Sequence, residues 1–298
     1  MPGVAATRSQ LRCWGVRGTC PSPGPSTVRY GGNTPCVEVR SAKGDVIVLD
    51  AGSGIRVLGH ALEHEAEPRP VHLFLSHRHS DHVCGLQHFP PILARSRDVH
   101  VVCGNAGAQE TEAFVAGLLC PPTFPLLPGV MDRLTFADWS ESAGVAVGSS
   151  SVVRRLPARH PGQAAVIVVH DEDGPSVAYA PDNELSWTST DPSVIAWRAS
   201  LARALHHVPI LIHDATYTDD ELAGHVGWGH SSAEEATRFA VQCGAGALML
   251  FHHHPDRHDD DVAQIAERCQ ALAHHLDSAL SVHAAAEGLT LDLRVHVA

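Results

Sequence analysis

No apolar run reaches the roughly 18 residues a membrane-crossing helix needs, so none is expected in this 298-residue chain. Lysine is almost missing. Lys43 is the single copy, and 21 basic side chains face 33 acidic ones for a formal net charge of −12. Long phosphate backbones are gripped by basic stripes, so a long nucleic acid is not the expected partner. The eight cysteines, at 13, 20, 36, 84, 103, 120, 243 and 269, form no CxxC pair, and Met1 to Leu11 hold no charged-then-apolar leader. Reduced, mostly buried thiols in a cytoplasmic protein are therefore expected, with Cys13, Cys20 and Cys36 packing rather than binding zinc. Neither an internal repeat nor a polar linker divides the chain.

Histidine is in excess, with 23 copies, and imidazole is the commonest metal ligand. Short β-branched runs at 45–50, 71–76, 98–103, 164–170, 176–180, 208–213 and 247–252 predict buried strands. Helical patterns at 109–119, 193–207, 233–242 and 261–280 fall between or after them, which predicts an α/β layered fold. A Pro-rich stretch at 120–129 reads equally as a substrate-facing cap or as an irregular surface connection.

The chemistry concentrates in Ser76-His77-Arg78-His79-Ser80-Asp81-His82, directly after the strand VHLFLS. Three imidazoles and a carboxylate in one tight turn suit zinc, iron or manganese far better than calcium.

This H-x-H-x-D-H loop after a buried strand resembles the signature of the metallo-β-lactamase superfamily. Val48 to Gly54 (VLDAGSG) is similar to its first motif, with Asp50 expected to brace the metal loop. His160, Asp182 and His252 stand where the third, fourth and fifth motifs place ligands. The resemblance implies a four-layer αβ/βα sandwich and a single domain over 1–298, built from two αβ halves of roughly 1–145 and 146–298. Five imidazoles and two carboxylates are too many for one tetrahedral zinc, so two divalent ions are implied, zinc first with manganese or iron as alternatives. By the same resemblance, His77, His79 and His160 hold one ion, Asp81, His82 and His252 the other, and Asp182 bridges them. A metal-bridging hydroxide is then the implied nucleophile.

His213-Asp214-Ala215-Thr216 and Gly229-His230-Ser231-Ser232 are similar to paired motifs of ribonuclease Z and related phosphodiesterases, as are Trp14 to Gly18 and Tyr30 to Thr34. Ser231 or Ser232 followed by Glu234 or Glu235 reads as a capping box, which places His230 just before a helix whose free amides favour phosphate. His230 is thus the candidate general acid, Asp214 its orienting carboxylate, and Asp81 is counted with them as catalytic. Arg17 and Arg56 are the arginines considered for holding phosphate, each read as structural ahead of that role. Only 22 residues separate His160 from Asp182, too few for the RNA-gripping arm of ribonuclease Z. The expected function is a dinuclear phosphodiesterase on a small or cyclic phosphodiester, without a membrane partner and with a homodimer left open. The alternatives are a lactonase or thioesterase on the same fold, and a non-catalytic metal-binding regulatory protein.

Overall fold

The computed structural model describes residues 9–125, 127–140, 143–171 and 174–293. The stretch read for a leader, Leu126 of the Pro-rich stretch, and Glu172 and Asp173 of the turn between two expected strands thus fall wholly or partly outside the described residues.

Among the described residues the strands form two seven-stranded sheets. The first holds β1 (Gln10–Gly15), β2 (Cys36–Arg40), β3 (Val46–Leu49), β4 (Val71–Leu75), β5 (Val99–Cys103) and β6 (Leu134–Phe136). The second holds β7 (Val145–Val147), β8 (Ser151–Pro157), β9 (Ala165–Asp171), β10 (Gly174–Ala180), β11 (Ile210–Asp214), β12 (Ala247–Phe251) and β13 (Ser281–Ala284). β14 (Thr290–Asp292) returns to the first sheet and pairs antiparallel with β1. Each sheet is mixed: β3 to β6 run parallel in the first, β10 to β13 in the second.

The helices are α1 (Gly54–Glu63), α2 (Ser80–Val83), α3 (Pro90–Ala94), α4 (Ala108–Leu118), α5 (Pro192–Ala204), α6 (Asp219–Leu222), α7 (Ala233–Cys243) and α8 (Asp259–His275). Strands buried on both faces read as continuous apolar runs, and here the two faces serve different layers. Ile47, Leu49 and Phe74 join Ile210, Ile212, Met249 and Phe251 between the sheets. Val46, Val48, Leu73 and Leu75 instead pack outward with Ile55, Leu58 and Leu62 of α1. Leu211, Leu248 and Leu250 do the same against Leu201, Phe239 and Cys269 of α5, α7 and α8. The result is the expected four-layer αβ/βα sandwich. No helix of the described residues is long and apolar enough to cross a membrane.

Some local expectations change. The helix expected over 261–280 starts at Asp259 and stops at His275, because Asp277 turns into the left-handed region at φ 51°. The Gly-rich turn after β3 runs straight into α1, an unexpected helix whose exposed face carries Arg56. In the Pro-rich stretch, Phe124 and Leu127 pack onto the outer apolar layer of the first sheet. Cys13, Cys36, Cys103, Cys243 and Cys269 are buried, and all eight cysteines are free.

Candidate metal centre

Parallel α/β sheets place their binding crevice beyond the carboxyl ends of the strands. Asp50 follows β3, His77 follows β4, Asp182 lies just past β10, Asp214 ends β11 and His252 follows β12. The two sheets bring these ends together, and all seven expected ligand residues converge.

Asp182 stands in the middle. Its Oδ2 lies 3.6 Å from His77 Nε2 and 3.4 Å from His160 Nε2. Its Oδ1 lies 3.0 Å from His82 Nε2 and 3.3 Å from His252 Nε2. His79 meets His160 through Nδ1, at 3.0 Å, and Asp81 Oδ2 reaches His252 Nε2 at 3.1 Å and His82 Nε2 at 3.3 Å. Two donor groups result, His77, His79, His160 and Asp182 on one side, Asp81, His82 and His252 on the other. His77 Nε2, His82 Nε2 and Asp182 Oδ1 are buried without a hydrogen-bond partner. Buried polar atoms are rarely left so, and here they point inward in a set of imidazoles and carboxylates that fits divalent metal ions.

On His77, His82, His160 and His252 the nitrogen turned away from the centre is held by the protein, which fixes these four rings and their tautomers. Asp50 is the anchor: its oxygens accept from Ser76 N (2.7 Å), Ser76 Oγ (2.8 Å), His82 Nδ1 (2.7 Å) and Tyr179 Oη (2.9 Å). His77 Nδ1 donates to Ser76 Oγ at 3.0 Å. His160 Nδ1 donates to the carbonyl of Gly229 at 2.9 Å, and His252 Nδ1 to Thr216 Oγ1 at 2.9 Å. Thr216 in turn donates to Asp214 Oδ1 at 2.8 Å.

The charges fit the same picture. Burial, joined by the neighbouring histidines, keeps His77 well below the ordinary imidazole range, and burial likewise lowers His160. Burial works against ionisation of Asp182 and Asp81 too, but the surrounding histidines outweigh it and hold both carboxylates below their usual range. For His82 burial is overcome by Asp182, Asp81 and Asp50, whose field favours a cation at this point.

His230 sits beside the second group, its ring stacked on His252 at 5.0 Å between centroids. Its Nδ1 donates to Asp214 Oδ2 at 2.8 Å. Burial lowers its basicity, but Asp214, with Asp182 and Asp81 behind, overrides this and lifts the imidazole to about 9. His230, Asp214 and His252 are also close enough to form a third candidate donor group.

Two expectations need correction. The serine cap is real, with Ser232 Oγ accepting from Glu235 N, but the box is half made because Glu235 Oε1 turns to Trp187 N. The helix start is not an open phosphate seat either, since Ala233 N donates to the carbonyl of Tyr217 and Glu235 N to Ser232. Arg17 is structural, the reading given first to it: it is fully buried and donates to the carbonyls of Gly31, His254 and Arg257. Arg56, on α1, is exposed. His253 is buried against the carbonyl of Ala285, while His206, His207, His274, His275 and His283 are exposed as expected.

Sequence reasoning missed Tyr179, Thr216 and Glu184. Thr216 ends the quoted HDAT motif, and Glu184 closes the APDNE run that contains Asp182. Glu184 accepts from Gly227 N (3.1 Å), Gly229 N (2.8 Å) and Ser186 Oγ (2.8 Å), so it ties down the loop whose carbonyl orients His160. Beside His160 a cavity of about 890 Å³ opens, lined by Arg155, Arg159, Asn105, Gln163 and the backbone of Gly227 and Gly229.

Fold and donor set together define a metal-binding hydrolase site at the edge between two sheets. The chain belongs to the metallo-β-lactamase superfamily: residues 46–253 match the model of the beta-lactamase superfamily domain. It is 30% identical over 226 residues to the uncharacterized protein Rv1339 of Mycobacterium tuberculosis, covering 74% of each chain. It is 26% identical over 291 residues to a ribonuclease Z of Porphyromonas gingivalis, covering 85% of this chain and 92% of that one. In fold it is similar to the metallo-beta-lactamase fold protein YhfI of Bacillus subtilis, with TM-score 0.66 at 18% identity over 95% of this chain and 99% of that one. It is also similar to a diphosphatase of the PhnP family, with TM-score 0.64 at 16% identity over 95% and 96% of the two chains.

Proposed function

We propose that this protein is a dinuclear metal-dependent phosphodiesterase acting on a small, cyclic phosphodiester. The observation that carries the reading is Asp182, whose two oxygens face two separate groups of imidazoles. His77, His79 and His160 would hold one ion, Asp81, His82 and His252 the other, with Asp182 between the two groups. Bound there, zinc, or manganese or iron, supplies Lewis acidity and a water nucleophile active near neutral pH.

The protein's own residues do the rest. Asp214 orients His230 through Nδ1, leaving Nε2 to give its proton to the leaving oxygen as the P–O bond breaks. The acidic composition and the short path from His160 through β9 and β10 to Asp182 favour a small substrate over a long RNA. The kinship with a ribonuclease Z supports phosphodiester chemistry.

The test is elemental analysis of the full chain followed by assay on phosphodiesters, lactones and thioesters. About two ions per chain and turnover of small cyclic phosphodiesters are expected, with Asp182→Ala and His79→Ala losing metal and activity together. Full metal occupancy in Asp182→Ala removes the bridge. Turnover confined to lactones or thioesters replaces the reading with the alternative hydrolase.

A further inference from the structure

Trp228 is the one exposed Trp, Phe or Tyr among the described residues, at 60% exposure, and Val226 beside it is 72% exposed. Its position is fixed rather than loose. Glu184, itself buried, takes the amides of Gly227 and Gly229 on either side of it. Both glycines have positive φ, 85° and 89°, a backbone that only glycine adopts readily. A large indole held out in water on a tied loop gains little for folding, because its burial is forgone while its backbone is ordered.

The indole also heads a file of rings leading to the metal centre. Its edge meets His225 at 4.9 Å between centroids, with the planes at 86°. His225 stacks on Tyr217 at 4.3 Å and 16°, held there by a hydrogen bond from its Nδ1 to the carbonyl of Glu221. Tyr217 lies 6.2 Å from His230, and His230 stacks on His252. Tyr217 and His252 are buried, so these contacts are a packed file of rings that backs the indole, while the loop that carries Trp228 contributes Gly227 and Gly229 to the lining of the 890 Å³ cavity beside His160.

We infer that Trp228, buttressed by His225 and Tyr217, is the stacking platform for the nucleobase of a nucleoside phosphodiester whose phosphate sits at the metal centre. The inference rests on the phosphodiesterase reading. What occupies the indole face is decided by its loop: the Gly229 carbonyl bonds His160, and Gly227 and Gly229 line the cavity beside it, so a molecule anchored at the centre through phosphate extends past this loop, and a planar base is the group that stacks on the indole. Stacking of this kind accepts any base, because every base has a π face.

The test compares a nucleoside cyclic phosphate with the abasic ribose cyclic phosphate on the metal-loaded full chain. Trp228→Ala is expected to raise KM for the base-bearing substrate roughly five- to a hundredfold with kcat little changed, to leave the abasic substrate unaffected, and to be largely rescued by Trp228→Phe. In parallel, a nucleoside monophosphate is expected to quench the tryptophan emission of the parent and not that of Trp228→Ala. Equal KM values in parent and variant, or equal losses on both substrates, overturn the inference. So does a Trp228→Ala variant that only changes molecular mass in solution, which gives the patch to a second copy of the chain. If no phosphodiester is hydrolysed, the phosphodiesterase reading fails by itself, and Trp228-dependent quenching still decides the base platform.

Discussion

His230 Nδ1 lies 2.8 Å from Asp214 Oδ2, and the other oxygen of the same carboxylate holds Thr216, whose hydroxyl receives His252 Nδ1. One buried carboxylate thus orients two histidines that stack on each other, one in the donor set and one beside it. Perturbing Asp214 therefore reaches both.

Replacing the free end of this relay separates proton transfer from metal binding. His230→Ala is expected to keep its metal and lose roughly 10²- to 10⁴-fold in turnover on phosphodiesters with alkoxide leaving groups. The loss shrinks on nitrophenyl esters, whose leaving group needs no proton. An equal loss on both kinds, measured in one assay series, removes the acid role.

Thr216→Val keeps the shape but leaves His252 Nδ1 and Asp214 Oδ1 each short of a partner. Metal affinity is expected to fall roughly 10- to 100-fold, as for other groups that orient a ligand histidine, and Thr216→Ser to restore it. Metal titration with a competing chelator reads this directly, and an unchanged affinity takes Thr216 out of the relay.

Asp214→Asn cannot serve all four donors that the carboxylate accepts, which include the amides of Thr216 and Asn183. It is expected to lower both turnover and metal affinity, where Thr216→Val acts mainly on the metal. A drop in turnover with metal affinity at the parent value, found by the same titration, contradicts this shared role.

Glu184→Ala removes the acceptor for Gly227 N and Gly229 N and frees the loop that aims the Gly229 carbonyl at His160. Stability is expected to fall by about 1–3 kcal/mol, the cost of leaving the buried amide of Gly229 unpaired, with loss of activity beyond the fraction unfolded. Denaturant melts together with kcat on the folded fraction check it, and full activity per folded molecule refutes the positioning role.

Glu235 gives a pH signature remote from the metal. Burial, with Asp219 and Glu184 adding to it, raises its carboxyl from 4.5 to about 7. Folding therefore favours the protonated form, so stability present below pH 4.5 is lost as pH climbs to about 7, by at most about 3 kcal/mol. Relative to the parent, Glu235→Gln should gain stability across that window and hold the gain above it. A difference between the two that stays constant from pH 5 to pH 8 in denaturant unfolding contradicts this.

Much of the layered fold was legible because its parallel strands are buried on both faces. Runs such as VHLFLS and ALMLFH carry that signal without help from partners. The antiparallel β1 and β2, the short edge strands and the α1 helix were not legible. β1 alternates in burial, and its partners β2 and β14 come from opposite ends of the chain. α1 opens on a Gly-rich turn, Gly52-Ser53-Gly54, that reads as a loop.

By itself the sequence determined the H-x-H-x-D-H loop after a buried strand, a local cluster of ligand-type side chains, and the resemblance carried by its motif order named the distant His160, Asp182 and His252 that gather with it. What only the tertiary structure decided is how each is held. Tyr179 reaches Asp50 across 129 positions, the Gly229 carbonyl fixes His160, and Glu184 fixes Gly229. Arg17, read first as structural, is a buried brace, but its partners, the carbonyls of Gly31, His254 and Arg257, are set by the tertiary structure. These are hydrogen bonds between segments remote in sequence. Their existence depends on sub-ångström placement that composition and spacing do not encode, so only folding assigns them.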